Sequence, residues 1–218
     1  MVGLTSRKSC GAQGEPLFEA AEATKAPLRR QEILDAAAHL FSTQGFSATT
    51  VRQIAERCGI ESGSLYYHFR SKNELLQEIL TFAITTTSNN VRAALDALPG
   101  GSSPRIRVET ALWAHLRTLH DHVEYTSINV RFRAQVPIEV QVAMRPMRRD
   151  YSNFWHQLLS GAQAEGALAS EFNISLLRPL ILGTLNHTVV WYDAARGNID
   201  ELFAVIKVMI GGIWAEAA

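Results

Sequence analysis

From Leu28 onward, apolar side chains return every three or four positions and almost nowhere every second one. A chain patterned this way buries its stripes by packing helix on helix, so an all-α fold is expected. Ile33, Leu34, Ala37, Leu40 and Phe41 make the first stripe, over residues 28–44, and Gly45 supplies a left-handed stop. Eight further helices are predicted, about nine in all. The second runs from Thr50 to Cys58, the third over 62–69, and the fourth from Ser71 to about Leu98. The rest cover 104–124, 126–133, 138–164, 175–195 and 200–214. The stripe of the 138–164 helix is the most regular: Val140, Met144, Met147, Tyr151, Phe154, Trp155, Leu158, Ala162.

Residues 1–27 lack any sustained period and are rich in Gly, Ala, Ser, Glu and Lys, so a disordered tail is expected there. An arm using Arg7 and Lys8 has no further support in the sequence. The opening residues contain no apolar run of signal-peptide length. The greasiest stretch, 176–191, is broken by Arg178, Pro179, Asn186 and His187, too short and interrupted to span a bilayer. Two cysteines, Cys10 and Cys58, form neither a disulfide framework nor a four-ligand metal site. A soluble cytoplasmic protein without membrane partners is the expectation. Lys plus Arg and Asp plus Glu both total 21, so any surface for nucleic acid has to be local.

Residues 50–72 offer such a surface. Thr50 and Gln53 have capping-box spacing, and so do Ser71 and Glu74. Between them, two short helices are joined by a tight turn at Cys58-Gly59-Ile60-Glu61. Leu65 and Phe69, four apart, hold the second short helix inward. Ser62, Gly63, Ser64, Tyr67 and His68 then face outward, with Tyr66 at the edge. This face is small, polar and aromatic, and it suits a major groove. Lys72 stands in the first turn of the fourth helix, where the helix dipole also favours a phosphate.

The run RRQEILDAAAHLFSTQGFSATTVRQIAERCGIESGSLYYHFRSKNELL, residues 29–76, resembles the N-terminal domain of the TetR family of bacterial repressors. The resemblance is carried by Gly45-Phe46, Thr49-Thr50, Ile54-Ala55, Gly59-Ile60 and the run from Leu65 to Lys72. It implies a helix-turn-helix domain over 28–72, a helical ligand-binding and dimerisation domain over 73–218, and a palindromic operator in duplex DNA. It also implies that Thr50, Arg52, Tyr66, His68 and Lys72 contact the DNA backbone, while Ser62, Gly63, Ser64 and Tyr67 lie over base edges. In such proteins the last two helices pair with those of a second subunit. The composition fits, since the 175–195 helix is apolar nearly all round and needs cover on every side.

For a small lipophilic effector, the expected lining is Phe82, Trp113, Met144, Met147, Tyr151, Trp155, Asn186, His187 and Trp191. Asn186 and His187 interrupt an apolar helix and need partners. Gly183, Asn186 and Trp191-Tyr192 ahead of Gly197 are similar to a branch of regulators of steroid and fatty-acid degradation that sense acyl-CoA thioesters. Arg145, Arg148 and Arg149 are candidates for the CoA phosphates. His115, His120 and His122 lack the spacing of a metal site and are expected at the surface or a pocket rim. No nucleophile elbow, phosphate loop, dinucleotide fingerprint or H-E-x-x-H motif is present, so neither an enzyme nor a cofactor is expected. A ligand-released repressor is the leading reading. An activator of the same fold, or a helical interaction protein that binds no DNA, are the alternatives.

Overall fold

A computed structural model describes the backbone of residues 17–215, and the suggested arm at Arg7 and Lys8 lies outside them. The described residues form eleven α-helical segments and no strand. In chain order they are α1 Leu17–Gln44, α2 Val51–Arg57, α3 Ser62–His68, α4 Lys72–Asp96, α5 Pro104–Asp121, α6 Val123–Thr126, α7 Ile128–Arg131, α8 Ile138–Ala143, α9 Arg145–Ala164, α10 Ile174–Trp191 and α11 Ile199–Met209. Single 3-10 turns follow at Arg133–Gln135, Ala194–Arg196 and Gly211–Ile213.

Four expected helices are divided or shortened: the one over 126–133 becomes α7 between the end of α6 and a 3-10 turn, the one over 200–214 ends at Met209, and the sequence explains one of the other two breaks well. Pro146 lacks an N–H to donate to Val142, so the helix expected over 138–164 breaks at Met144 into α8 and α9. The helix expected over 104–124 ends at Asp121, and α6 restarts from His122. At the other end of the chain, α1 begins at Leu17 rather than Leu28, so residues 17–27, expected in the tail, are helical. Their many Ala and Glu residues are good helix formers, which the missing apolar period concealed.

The apolar interior has two parts. The first joins α1, α2 and α3 to the first half of α4 and continues into Tyr125, Ile128, Val136, Val140 and Met144. The packing of the first three helices therefore does not stop at residue 72. The second part lies between the far half of α4 and α5, α9, α10 and α11, with Trp155 at its centre. An isolated antiparallel bridge between Leu168 and Trp214 closes the C-terminal end, flanked by Ala169 N–H to Ile213 O at 3.0 Å and Ala215 N–H to Ala167 O at 3.1 Å. No helix among the described residues is long and apolar enough to cross a membrane.

Candidate functional site

The α2–α3 unit is built by its caps. Thr50 accepts from Gln53 N–H at 3.2 Å, and the Gln53 side chain accepts from Thr50 N–H at 2.8 Å. Gly59, at φ +64, closes α2 with Ile60 N–H on Ala55 O and its own N–H on Glu56 O. Leu65 and Phe69 are fully buried and fasten α3 from behind. Arg30 braces Phe69 further: its guanidinium lies 4.5 Å over the ring and pairs with Glu78 of α4. Ser71 caps α4, but Glu74 accepts from Arg70 N–H at 2.6 Å instead of completing the expected capping box.

The outer face of α3 is open. Tyr67 is 87% exposed and Tyr66 53%. Gly63 and Ser64 are exposed, Ser62 and His68 half-buried. The Tyr67 and His68 rings meet edge-on at 5.4 Å. A Cβ built on Gly63 would meet nothing within 4 Å, so its bare backbone can be approached closely. Arg52 stands 83% exposed on α2 and pairs with Glu56 at 2.7 Å, a surface contact that a phosphate can displace. Two residues expected at the DNA backbone also make bonds within the chain. The Thr50 hydroxyl is engaged in its cap. Lys72 turns inward, giving 2.8 Å hydrogen bonds to Phe46 O and Thr49 O with its Nζ 4.2 Å over the Phe46 ring. Burial lowers the Lys72 pKa.

A cavity of about 200 Å³ lies between α4, α5, α6, α7, α9 and α10. Leu80, Ala83, Ile84 and Thr87 of α4 form one wall, and Leu119 and Leu182 add apolar surface. His115, which was expected at the surface or a rim, is buried against it and linked on both sides. Its Nδ1 lies 2.8 Å from the Tyr151 hydroxyl and its Nε2 3.1 Å from Asn186 Oδ1. Because the amide oxygen only accepts, Nε2 carries the proton and Nδ1 accepts from the tyrosine O–H. Burial holds His115 neutral by lowering its pKa to about 4, against the opposing effect of the hydrogen bond it donates to Asn186, and burial raises the Tyr151 pKa.

Of the nine expected lining residues, Tyr151 and Asn186 reach this cavity. Trp155 is buried behind it, edge-on to His115. Phe82 packs on Tyr125 and His122, and Trp113 on Phe203 of α11. Met144 is buried at the α8–α9 break, its sulfur 3.6 Å from the Thr81 hydroxyl of α4, and Met147 borders a separate groove. His187 and Trp191 follow the outward face of α10, since the cavity takes only Leu182 and Asn186, one turn apart. Conversely, the sequence reading missed Thr87, His115, Asn129 and Ser152 as lining, and it gave Arg148 only as one of three candidates for CoA phosphates, not as part of the wall. Arg148, Tyr151, Ser152 and Trp155 stand at i, i+3, i+4 and i+7, the spacing that betrays an inward face.

The segment 123–135 connects the two sites. Thr126, Asn129 and Val130 line the cavity. On its other side, Tyr125 O–H donates to Asp35 and accepts from Gln31, both on α1, while Glu124 pairs with His39 at 2.7 Å. Gln135 then accepts from Ser47 N–H at 3.0 Å in the loop before α2.

The sequence profile of bacterial regulatory proteins of the tetR family matches residues 33–79, and that of the tetracyclin repressor-like C-terminal domain matches residues 101–201. The chain is similar to the HTH-type transcriptional repressor KstR2 of Rhodococcus jostii, 31% identical over 174 residues, covering 75% of this chain and 79% of that protein. It resembles the solved structure of the ketosteroid transcriptional regulator KstR2 of Mycobacterium tuberculosis, with TM-score 0.76 and 25% identity over 87% of this chain and 96% of that one. A structure of AibR in complex with isovaleryl coenzyme A and operator DNA shares the fold, with TM-score 0.74 and 20% identity over 85% and 98% of the two chains.

Proposed function

The chain belongs to the TetR family of bacterial regulatory proteins, and from that premise we propose that it represses transcription as a ligand-released homodimer. It is a DNA-binding regulator and not an enzyme. Two copies of α3, one per subunit, enter successive major grooves of a palindromic operator. Tyr67, Gly63 and Ser64 lie over base edges, and Arg52, Tyr66 and His68 reach the phosphates. The observation that carries this reading is an 87% exposed tyrosine on a short helix whose back is fully buried. A side chain left in water by so rigid a support is placed for a partner.

Dimerisation through α10 and α11 is supported by their outward faces. Leu180 is 69% exposed, Val205 58% and Val208 81%, with Gly183 and Thr184 small and open between them. Release follows if a small lipophilic effector prefers a conformation with the wrong half-site spacing. Such an effector touches α4, which starts beside α3, and the 123–135 segment, which grips α1 and the loop before α2.

Fluorescence anisotropy with DNA from upstream of its own gene tests the reading. Tyr67→Ala should weaken binding by about 1–3 kcal/mol with an unchanged melting temperature. Undiminished affinity in that folded variant would remove α3 as the reading element.

A further inference from the structure

The cavity wall contains a half-buried charge with no acidic partner beside it. Arg148 is the one charged residue in its wall, among Leu80, Ile84, Leu119 and Leu182, and no Asp or Glu lines it. Its Nη2 donates to Asn129 Oδ1 at 3.1 Å, but its Nε is shut off from solvent and has no acceptor among the described residues. The charged neighbour that acts on it, Arg133, has the same sign. A buried guanidinium N–H without a partner is costly to maintain, and neutral His115 cannot supply a counter-charge. The adjacent residues Arg145 and Arg149 are exposed, so Arg148 alone of the three turns inward.

Resting on the reading of this cavity as the effector site, we infer that the effector is a small lipophilic monocarboxylate, its carboxylate held by Arg148 and Asn129 and its hydrocarbon body against α4 and Leu182. A carboxylate matches the guanidinium in charge and in the spacing of its donors, and would be the one counter-charge in the cavity. Size points the same way. At about 200 Å³ the cavity lies below the usual range of ligand pockets, which suits a small body. The thioester of the same acid presents a neutral carbonyl at that point. A hydroxyl or keto oxygen elsewhere on the ligand could meet the Asn186 amide N–H₂, which makes no hydrogen bond among the described residues.

Calorimetry on the full-length dimer, without DNA, tests the inference with hexanoate, cyclohexanecarboxylate and benzoate, the matching primary amides, and hexanoyl-CoA. At least one acid should bind, with its amide about ten- to a hundredfold weaker, the loss expected for a hydrogen-bonded charge. Arg148→Met should weaken the acid by the same factor, and Arg148→Lys by less. Acid and amide binding equally to the wild-type protein would overturn the inference, and that comparison needs no variant to fold. So would hexanoyl-CoA binding where every acid fails, which would leave an effector-responsive repressor of another ligand class. Loss of operator binding in anisotropy would instead sink the repressor reading, and it is measured separately.

Discussion

Lys72 sits where a DNA-binding lysine is expected, yet its ammonium faces two backbone carbonyls of the loop before α2. Two of its three donors are occupied, so its main contribution is to hold that loop against α4. Lys72→Ala should therefore cost about 1.5–3 kcal/mol in urea denaturation, the worth of hydrogen bonds to a charge. The slope of log affinity against log salt should change by less than the roughly 0.9 expected for one lost phosphate contact. The lysine's place at a helix start was legible in the sequence. Its target was not, because Phe46 O and Thr49 O belong to a loop more than twenty residues away and carry no residue-type signature. His115 was hidden for the same reason: its partners Tyr151 and Asn186 come from α9 and α10. Its pKa falls from the ordinary 6.5 to about 4 through burial, so the unfolded chain takes up a proton first as pH drops. The stabilisation is complete above about pH 6.5 and is lost toward pH 4. Between pH 7 and pH 5 the protein should lose about 2 kcal/mol of stability. Half-buried His120, also lowered by burial, acts in the same direction, and His115→Gln should show a shallower dependence.

At the level of elements, the punctuation was the most legible part of the sequence. Gly45, Gly59 and Gly166 stop α1, α2 and α9 with positive φ, and Thr50 and Ser71 start α2 and α4. Periodicity misled where a stripe continued across a break: Val140, Met144, Met147 and Tyr151 keep step across the join of α8 and α9, although Pro146 ends the hydrogen-bond ladder there. Gly45 has a second duty that no period reveals. At φ +87, a Cβ would lie 2.7 Å from Gln135 Oε1 and 3.1 Å from the Phe132 ring. Gly45→Ala should cost about 1–2 kcal/mol for the left-handed backbone and more for displacing Gln135 from Ser47. Gly166→Ala, at φ +75 with open space around its Cβ, should show only the backbone cost. Similar urea midpoints for the two variants would argue against a tight Gln135 contact.

For the whole molecule, the exposed apolar faces of α10 and α11 are the surface through which we propose that two chains pair. Leu176, Leu180, Val205, Val208 and Met209 are each more than half exposed, a patch that a soluble monomer rarely carries. Paired substitution Leu180→Glu and Val208→Asp should yield monomers in sedimentation equilibrium, with stable helices and operator affinity reduced by the loss of one half-site. A mutant that stays dimeric would place the subunit contact elsewhere. The apolar character of both helices was visible in sequence, but which flank is outward depended on where α5 and α9 pack. The bridge from Leu168 to Trp214 has a topological consequence for the proposed dimer. It ties the chain into a closed ring containing both proposed interface helices. Neither helix can be traded between subunits on its own without first unfastening that ring, so partners should exchange as intact chains, and heterodimers of differently tagged copies should form no faster than homodimers come apart.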